Sequence, residues 1–175
     1  LIIDPHGEYA SMKEPNKVGD FGRYKIKPRG YDVTVYTPGE MAMNQRADRP
    51  FRFNGLNLSA REVAKMIPHE GSSSGQLGLL YEAINALRAE TDAYTLEDII
   101  EQVVRSNSKV KWNLVGQLES LLELGLFSGS ATPCEEMLRP GKAAVIDMTG
   151  IIPELQAMIV ARLLTDIFEA RKRRL

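Results

Sequence analysis

The sequence LIIDPHGEY, at residues 1–9, places a short apolar run directly before a turn that is rich in titratable side chains. The first three residues are typical of a buried strand, and the proline and glycine favour a turn after it. In open α/β sheets, ligands bind beyond the carboxyl ends of the strands. The turn gathers two carboxylates and an imidazole, which can hold a cation-bound water or accept a proton from an attacking water: Asp4, His6 and Glu8. The alternative is an ordinary turn in which the imidazole only satisfies a backbone group.

A second acid, Asp147, closes a similar apolar run at residues 143–146 and is followed by the turn Met148-Thr149-Gly150. A third apolar run covers Val33 to Tyr36. None of these runs alternates with polar residues, which favours a parallel sheet covered on both faces. The carboxyl ends of parallel strands meet at one edge, so we expect Asp147 and Asp4 to lie on the same edge of the sheet. Taken alone, Asp147 is better explained as an acceptor of hydrogen bonds from loop amides.

The middle of the chain has the pattern of a helical subdomain. Ser59 with Glu62 forms a capping-box pattern, Thr95 caps another helix, and Gly125 suits a helix end. The predicted helices cover residues 59–67, 76–88, from 95 onward, 114–124 and from Pro153 to the basic end of the chain. We therefore predict an α/β fold, with a partial core at 1–56 and 138–175 and a helical insertion at 57–137. Within this scheme Phe51-Arg52-Phe53 is a short edge strand, and Trp112 anchors the core of the insertion.

Composition excludes several classes of protein. The 175 residues carry a formal net charge of -1, unlike a self-sufficient nucleic-acid binder, and no apolar run is long enough to span a membrane. The single cysteine, Cys134, can form neither an internal disulfide nor a cysteine metal cluster, which fits a reducing, cytoplasmic compartment. One basic segment interleaved with tyrosines can contact a nucleic-acid backbone, although a solvated loop explains it better: Arg23, Lys25, Lys27 and Arg29.

A phosphate-binding loop of the form Gly, four residues, Gly-Lys-Ser/Thr is absent from the sequence. The chain also starts inside a predicted strand, and its sheet is small, so we expect a fragment of a longer protein. Two other functions stay open on the residues alone. One is a small metal-dependent hydrolase built on Asp4, His6, Glu8 and Asp147, and the other is a module whose helical face binds a partner protein.

The motif Asp4-Pro5-His6-Gly7-Glu8-Tyr9 resembles the one after the second core strand of the HerA-type ATPases, in the HerA–FtsK group of ring-forming DNA translocases. The run from Val145 to Gly150, followed by Gln156 and by the segment from Ala161 to Arg171, is also similar to that family. The resemblance implies a RecA-like P-loop core that forms a hexameric ring around double-stranded DNA. It further implies ATP and Mg²⁺ between subunits, and DNA-end processing with a NurA-type nuclease.

By this resemblance, Asp4 and Glu8 would be the catalytic residues. They would face the nucleotide and contact Mg²⁺ through bound water, with His6 in support. Asp147 and Thr149 stand where the family has Asp and Ser, and would contribute to a nucleotide-binding or subunit-interface role.

The same resemblance places the phosphate loop just before Leu1 and the acidic, magnesium-binding strand just after Leu175. The chain alone is therefore not expected to hydrolyse ATP, or to bind ATP or Mg²⁺ tightly.

Overall fold

The computed structural model describes residues 1–17, 23, 25, 27–41, 44–67 and 74–173. Its strands are β1 (Ile2–Asp4), β2 (Val33–Pro38), β3 (Arg49–Phe51), β4 (Phe53–Asn54), β5 (Phe127–Ser128) and β6 (Ala143–Asp147). A 3-10 helix covers Tyr9–Lys13. The α-helices are α1 (Ala60–Met66), α2 (Ser74–Glu90), α3 (Leu96–Arg105), α4 (Lys111–Glu123), α5 (Cys134–Met137) and α6 (Pro153–Lys172).

The chain divides into two compact units. The first comprises Leu1–Phe51 and Thr132–Leu175, and the second comprises Arg52–Ala131. The second unit begins and ends a few residues earlier than the 57–137 span of the sequence prediction. The earlier start brings strand β4 into the second unit, and the earlier end leaves helix α5 in the first.

The first unit contains a four-stranded sheet in the order β1-β6-β2-β3, and every neighbouring pair is parallel. The register pairs Asp4 with Asp147 and Val35 with Val145. This confirms the predicted parallel sheet formed by the three apolar runs. The two acids that end β1 and β6 are therefore direct neighbours at one edge.

Both faces of this sheet are covered at its centre, since β2 and β6 are buried along nearly their whole length. Val33, Val35 and Val145 form a buried cluster, against which Ala10 and Met12 of the 3-10 helix pack. Helix α6 buries only Ile159 and Leu163 and begins with a proline in its first turn, as predicted.

The second unit is built around helices α1 to α4. Their buried residues share one core that includes Leu80, Ile84, Ile99 and Leu118. The predicted caps are confirmed, since Ser59 with Glu62 and Thr95 with Asp98 both form reciprocal capping boxes. The described part of the chain contains no helix that is both long and apolar enough to cross a membrane.

Three details differ from the sequence prediction. The run Phe51 to Phe53 is not one strand, because β3 ends at Phe51 in the large sheet and β4 pairs with β5 in a separate two-stranded sheet. Helix α4 begins at Lys111, earlier than predicted, and Val110 at its N-cap makes no side-chain capping bond. Trp112 is not a core anchor, because its side chain is 64% exposed.

Candidate functional site

The turn after β1 is organised by the Asp4 carboxylate. Asp4 is 1% exposed. Its Oδ1 accepts backbone N–H groups from Gly7 at 2.9 Å, Glu8 at 3.1 Å and His6 at 3.4 Å, and its Oδ2 accepts that of Tyr9 at 2.9 Å. Burying a carboxylate is costly unless donors surround it, and this one is surrounded by backbone donors from its own loop. Asp4 therefore holds the loop in shape, and both of its oxygens are already engaged.

Gly7 allows this loop to sit against the turn that follows β6. Its φ of +74° lies in the left-handed region that glycine tolerates best. A Cβ placed on Gly7 would collide with Thr149 Oγ1 and lie 3.3 Å from both carboxylate oxygens of Asp147. The structure therefore brings the two predicted turns together, and we call residues 4–9 and 147–150 the acidic rim.

Further contacts tie the two turns to each other. The Met148 N–H donates to the carbonyl oxygen of Asp4 at 2.8 Å. Gln156 in the first turn of α6 donates from Nε2 to the carbonyl oxygens of Ile151 at 2.9 Å and Met148 at 3.3 Å, and at 3.5 Å to that of Pro5. In the sequence, Gln156 is marked only by the family resemblance. A long polar side chain just after the Gly150 turn was the available signal for this role.

Asp147 is also buried, at 1% exposed, but only one of its two carboxylate oxygens accepts hydrogen bonds from described residues. Its Oδ1 accepts the Thr149 N–H at 2.9 Å and the Thr149 hydroxyl at 2.6 Å. Within the described ranges Oδ2 has no hydrogen-bond partner, and neither has the buried Nδ2 of nearby Asn44. Burial raises the pKa of Asp147, but the Thr149 donors, the Asn44 amide acting from beyond hydrogen-bond distance and the Arg46 charge outweigh it and hold the pKa below its usual range.

His6 and Glu8 lie on the exposed side of the loop. As far as the structure describes the chain, neither side chain has a hydrogen bond or an ion pair. Nor do the described residues contain a group of three His, Cys, Asp or Glu side chains placed to hold a metal ion. Asp4, His6, Glu8 and Asp147 are therefore not gathered into the cluster that the metal-dependent hydrolase hypothesis requires.

The basic segment precedes Tyr31, which contacts the 3-10 helix. Arg23, Lys25, Lys27 and Arg29 are all exposed, and Tyr24 lies outside the described residues. The Tyr31 N–H donates to the carbonyl oxygen of Met12 at 2.9 Å, which attaches the end of this segment to the 3-10 helix. The Arg29 guanidinium lies 5.9 Å from the centre of the Tyr31 ring.

Asp147→Asn is expected to lower the free energy of unfolding by about 1–2 kcal/mol at pH 7, because the Thr149 bonds lose their charged acceptor. Since the pKa of Asp147 is lower in the folded chain than in the unfolded one, its stabilisation is complete above the unfolded value, about 3.9, and is lost as the pH falls through the folded value. Urea unfolding followed by far-UV circular dichroism should therefore show the variant and the wild type converging below about pH 4.

The matched control for this experiment is Asp32→Asn. Asp32 is an exposed acid that pairs with Lys142 at 2.8 Å, and its loss should change stability by less than about 0.5 kcal/mol. A difference between Asp147→Asn and the wild type that stays constant down to the lowest pH would contradict the assignment.

Comparison with protein families gives a match that covers nearly the whole chain. The family described as "Helicase HerA, central domain" matches residues 1–167. Comparison with curated proteins gives no significant match. The parallel sheet with flanking helices is that of a partial RecA-like P-loop core. Membership indicates part of a nucleotide-binding ATPase of helicase type, with a DNA-related, oligomeric function. The chain therefore belongs to the family of the HerA helicase central domain.

Proposed function

We propose that this chain is part of a hexameric, ATP-dependent DNA translocase of HerA type, which acts on double-stranded DNA ends with a NurA-type nuclease. The first unit would be the ATPase core and the second its insertion. The observation that carries the proposal is the acidic rim, where two acid-terminated parallel strands are neighbours and the loop after β1 presents the exposed side chains of His6 and Glu8. Rims of this kind, beyond the carboxyl ends of parallel strands, are where α/β folds bind ligands.

The roles within the acidic rim follow from burial and hydrogen bonding. We assign Glu8 as the catalytic residue, because its exposed carboxylate is free to accept a proton from an attacking water. Asp4 is a positioning residue, because its oxygens hold the loop amides. His6 would support Glu8 from the same exposed side of the loop. Asp147 and Thr149 would form the wall of the nucleotide site.

The donor set of the acidic rim suits Mg²⁺, which prefers oxygen ligands and keeps several bound waters. The exposed Glu8 carboxylate has capacity left to hold such waters, whereas both oxygens of Asp4 are engaged by loop amides and Oδ2 of Asp147 is enclosed. The ion would neutralise charge on phosphate oxygens. Because residues 1–175 contain no phosphate-binding loop, we propose that the triphosphate itself is held by residues other than these.

The exposed basic segment is the candidate for contact with the DNA backbone. Arg23, Lys25, Lys27 and Arg29 would neutralise phosphates without reading sequence. Tyr31 attaches this segment to the 3-10 helix that follows the acidic rim. A displacement of the acidic rim is therefore expected to shift the basic segment as well.

The test of the catalytic assignment is Mg²⁺-dependent ATP hydrolysis by the full-length protein carrying Glu8→Gln. We expect kcat to fall by about 10²–10⁴-fold while the fold is retained, because a general base is lost from an exposed position. Glu14→Gln is the matched control, since Glu14 lies in the same region and its exposed carboxylate pairs with Lys17 at 3.7 Å. Equal activity of Glu8→Gln and Glu14→Gln would contradict the proposal.

The purified 175-residue chain should show no steady ATP turnover of its own. Turnover by this chain that disappears in Glu8→Gln would show that the acidic rim works without an added phosphate-binding loop.

A further inference from the structure

The single tryptophan of the chain lies on the surface of the helical unit. Trp112 stands in the first turn of α4 with 64% of its side chain exposed. Tryptophan is usually well buried, since its large ring gains much from leaving water. An exposed indole on an otherwise well-packed helix therefore points to a partner molecule.

The Trp112 ring is held in place from one side. Lys111 Nζ lies 5.3 Å from the centre of the ring. The same ammonium donates to the carbonyl oxygens of Ser106 at 2.7 Å and Val104 at 2.8 Å at the end of α3. Since two carbonyl oxygens hold this ammonium, the Trp112 ring lies beside a fixed positive charge. Little conformational entropy of the Trp112 side chain is then lost when a ligand stacks on the ring.

The surface next to the ring is flat. Gly116 lies one turn after Trp112 on the same face of α4, is exposed, and a Cβ added there would meet nothing within 4 Å. Glycine inside a helix is destabilising relative to alanine, and no packing within the described chain requires it here. A molecule lying against the helix beside the ring would require that no side chain project from position 116.

The charge on the N-terminal side of the ring is positive. Lys109 and Lys111 precede Trp112, whereas Arg105 is paired with Glu101 at 3.5 Å, and the next acid on the exposed face of α4 is Glu119, two turns after Trp112. Within the described part of the chain Lys109 is exposed and forms no ion pair. An open aromatic ring flanked by cations is how proteins bind single-stranded nucleic acid, with bases stacked on the ring and phosphates on the cations.

We propose that Trp112, Gly116, Lys109 and Lys111 form a stacking site for single-stranded nucleic acid on the helical unit. The proposal deepens the DNA-related function proposed above by adding a contact for an unpaired strand. It requires no nucleotide hydrolysis, so it is tested without ATP. Failure of this site would leave the Glu8 result unchanged, and failure of the Glu8 assignment would leave this site unchanged.

The test uses an oligothymidylate of about 20 nucleotides and the 175-residue chain. Because Trp112 is the only tryptophan, its fluorescence reports the site directly, and we expect saturable quenching that weakens as salt is raised. Anisotropy of a labelled oligonucleotide should show affinity falling roughly tenfold or more in Trp112→Ala, since one stacking contact is lost. Lys109→Gln should weaken binding less and reduce the salt dependence by about one phosphate.

Gly116→Leu is the decisive variant, because it strengthens the helix yet fills the flat surface. It should weaken binding while raising or preserving thermal stability, and Gly78→Leu, at another open helical glycine, should leave binding unchanged. The proposal is overturned if the oligonucleotide causes no quenching, or if a duplex of the same length quenches equally. Quenching by a polyglutamate peptide but not by the oligonucleotide would instead indicate an acidic protein partner and would also overturn it.

Discussion

Gly7→Ala is expected to be among the most damaging single substitutions in the first unit, costing about 3 kcal/mol of its stability. An alanine at φ +74° has a strained, left-handed backbone, which lowers stability by about 1 kcal/mol or more. Its Cβ also collides with Thr149 Oγ1. Rotating Thr149 away would relieve the collision only by breaking its 2.6 Å hydrogen bond to Asp147. The substitution therefore separates the two turns of the acidic rim.

Substitutions at two other glycines separate the contribution of backbone strain from that of the steric collision. Gly141 has a φ of +78° but open space around it, so Gly141→Ala should show the backbone strain alone, about 1 kcal/mol. Gly78 lies in α2 with open space and without a left-handed backbone, so Gly78→Ala should stabilise its helix by about 0.5–1 kcal/mol.

Hydrogen exchange measured by mass spectrometry is the appropriate readout for these glycine variants, because it reports each unit separately. Peptides from residues 1–17 and 143–152 should lose protection in Gly7→Ala and keep it in Gly78→Ala. Equal effects of Gly7→Ala and Gly141→Ala would contradict close packing of the two turns.

Asp4→Ala is expected to cost about 3 kcal/mol, because the backbone N–H groups of His6, Gly7, Glu8 and Tyr9 lose their common acceptor. Asp4→Asn should cost less, about 1–2 kcal/mol. Its oxygen can still serve the three amides at Oδ1, but its NH₂ group would face the Tyr9 N–H, where two donors oppose each other. The order Ala worse than Asn is therefore the specific prediction.

Exchange of the amides at residues 6–9 measures this network most directly. These amides should exchange faster in both Asp4 variants than in the wild type. Asp32→Asn is the control, because its carboxylate forms only an exposed ion pair. Unchanged exchange at residues 6–9 in Asp4→Ala would show that the loop does not depend on Asp4.

Most of the sheet could be predicted from the sequence because β1, β6 and much of β2 are apolar, which is characteristic of strands buried on both faces. The strand β3, Arg-Pro-Phe, has no such pattern. Helix starts at Ser59 and Thr95 were predictable because each has an acid three residues later, which completes a local capping box. The start of α4 lacks that signal, and Val110 gives no side-chain cap, so its position was missed.

The inner organisation of the acidic rim could not be predicted in the same way. The sequence places Asp4 and Glu8 in one turn, but which acid is buried and which is free depends on the left-handed backbone at Gly7. The split between β3 and β4 was missed because alternation at Phe51 to Phe53 is compatible with a single strand. Trp112 was placed in the core because large apolar rings usually are, and its exposure is set by the position at which α4 begins.

We propose that the acidic rim faces the nucleotide, and hydrogen exchange of the full-length protein with and without ligand reports this contact segment by segment. Addition of Mg²⁺ with a non-hydrolysable ATP analogue should slow exchange at residues 5–9 and 148–150 together. The turn at residues 139–142, which precedes β6 at the opposite edge of the sheet, should be unaffected. Protection at residues 139–142 with none at the acidic rim would contradict the account.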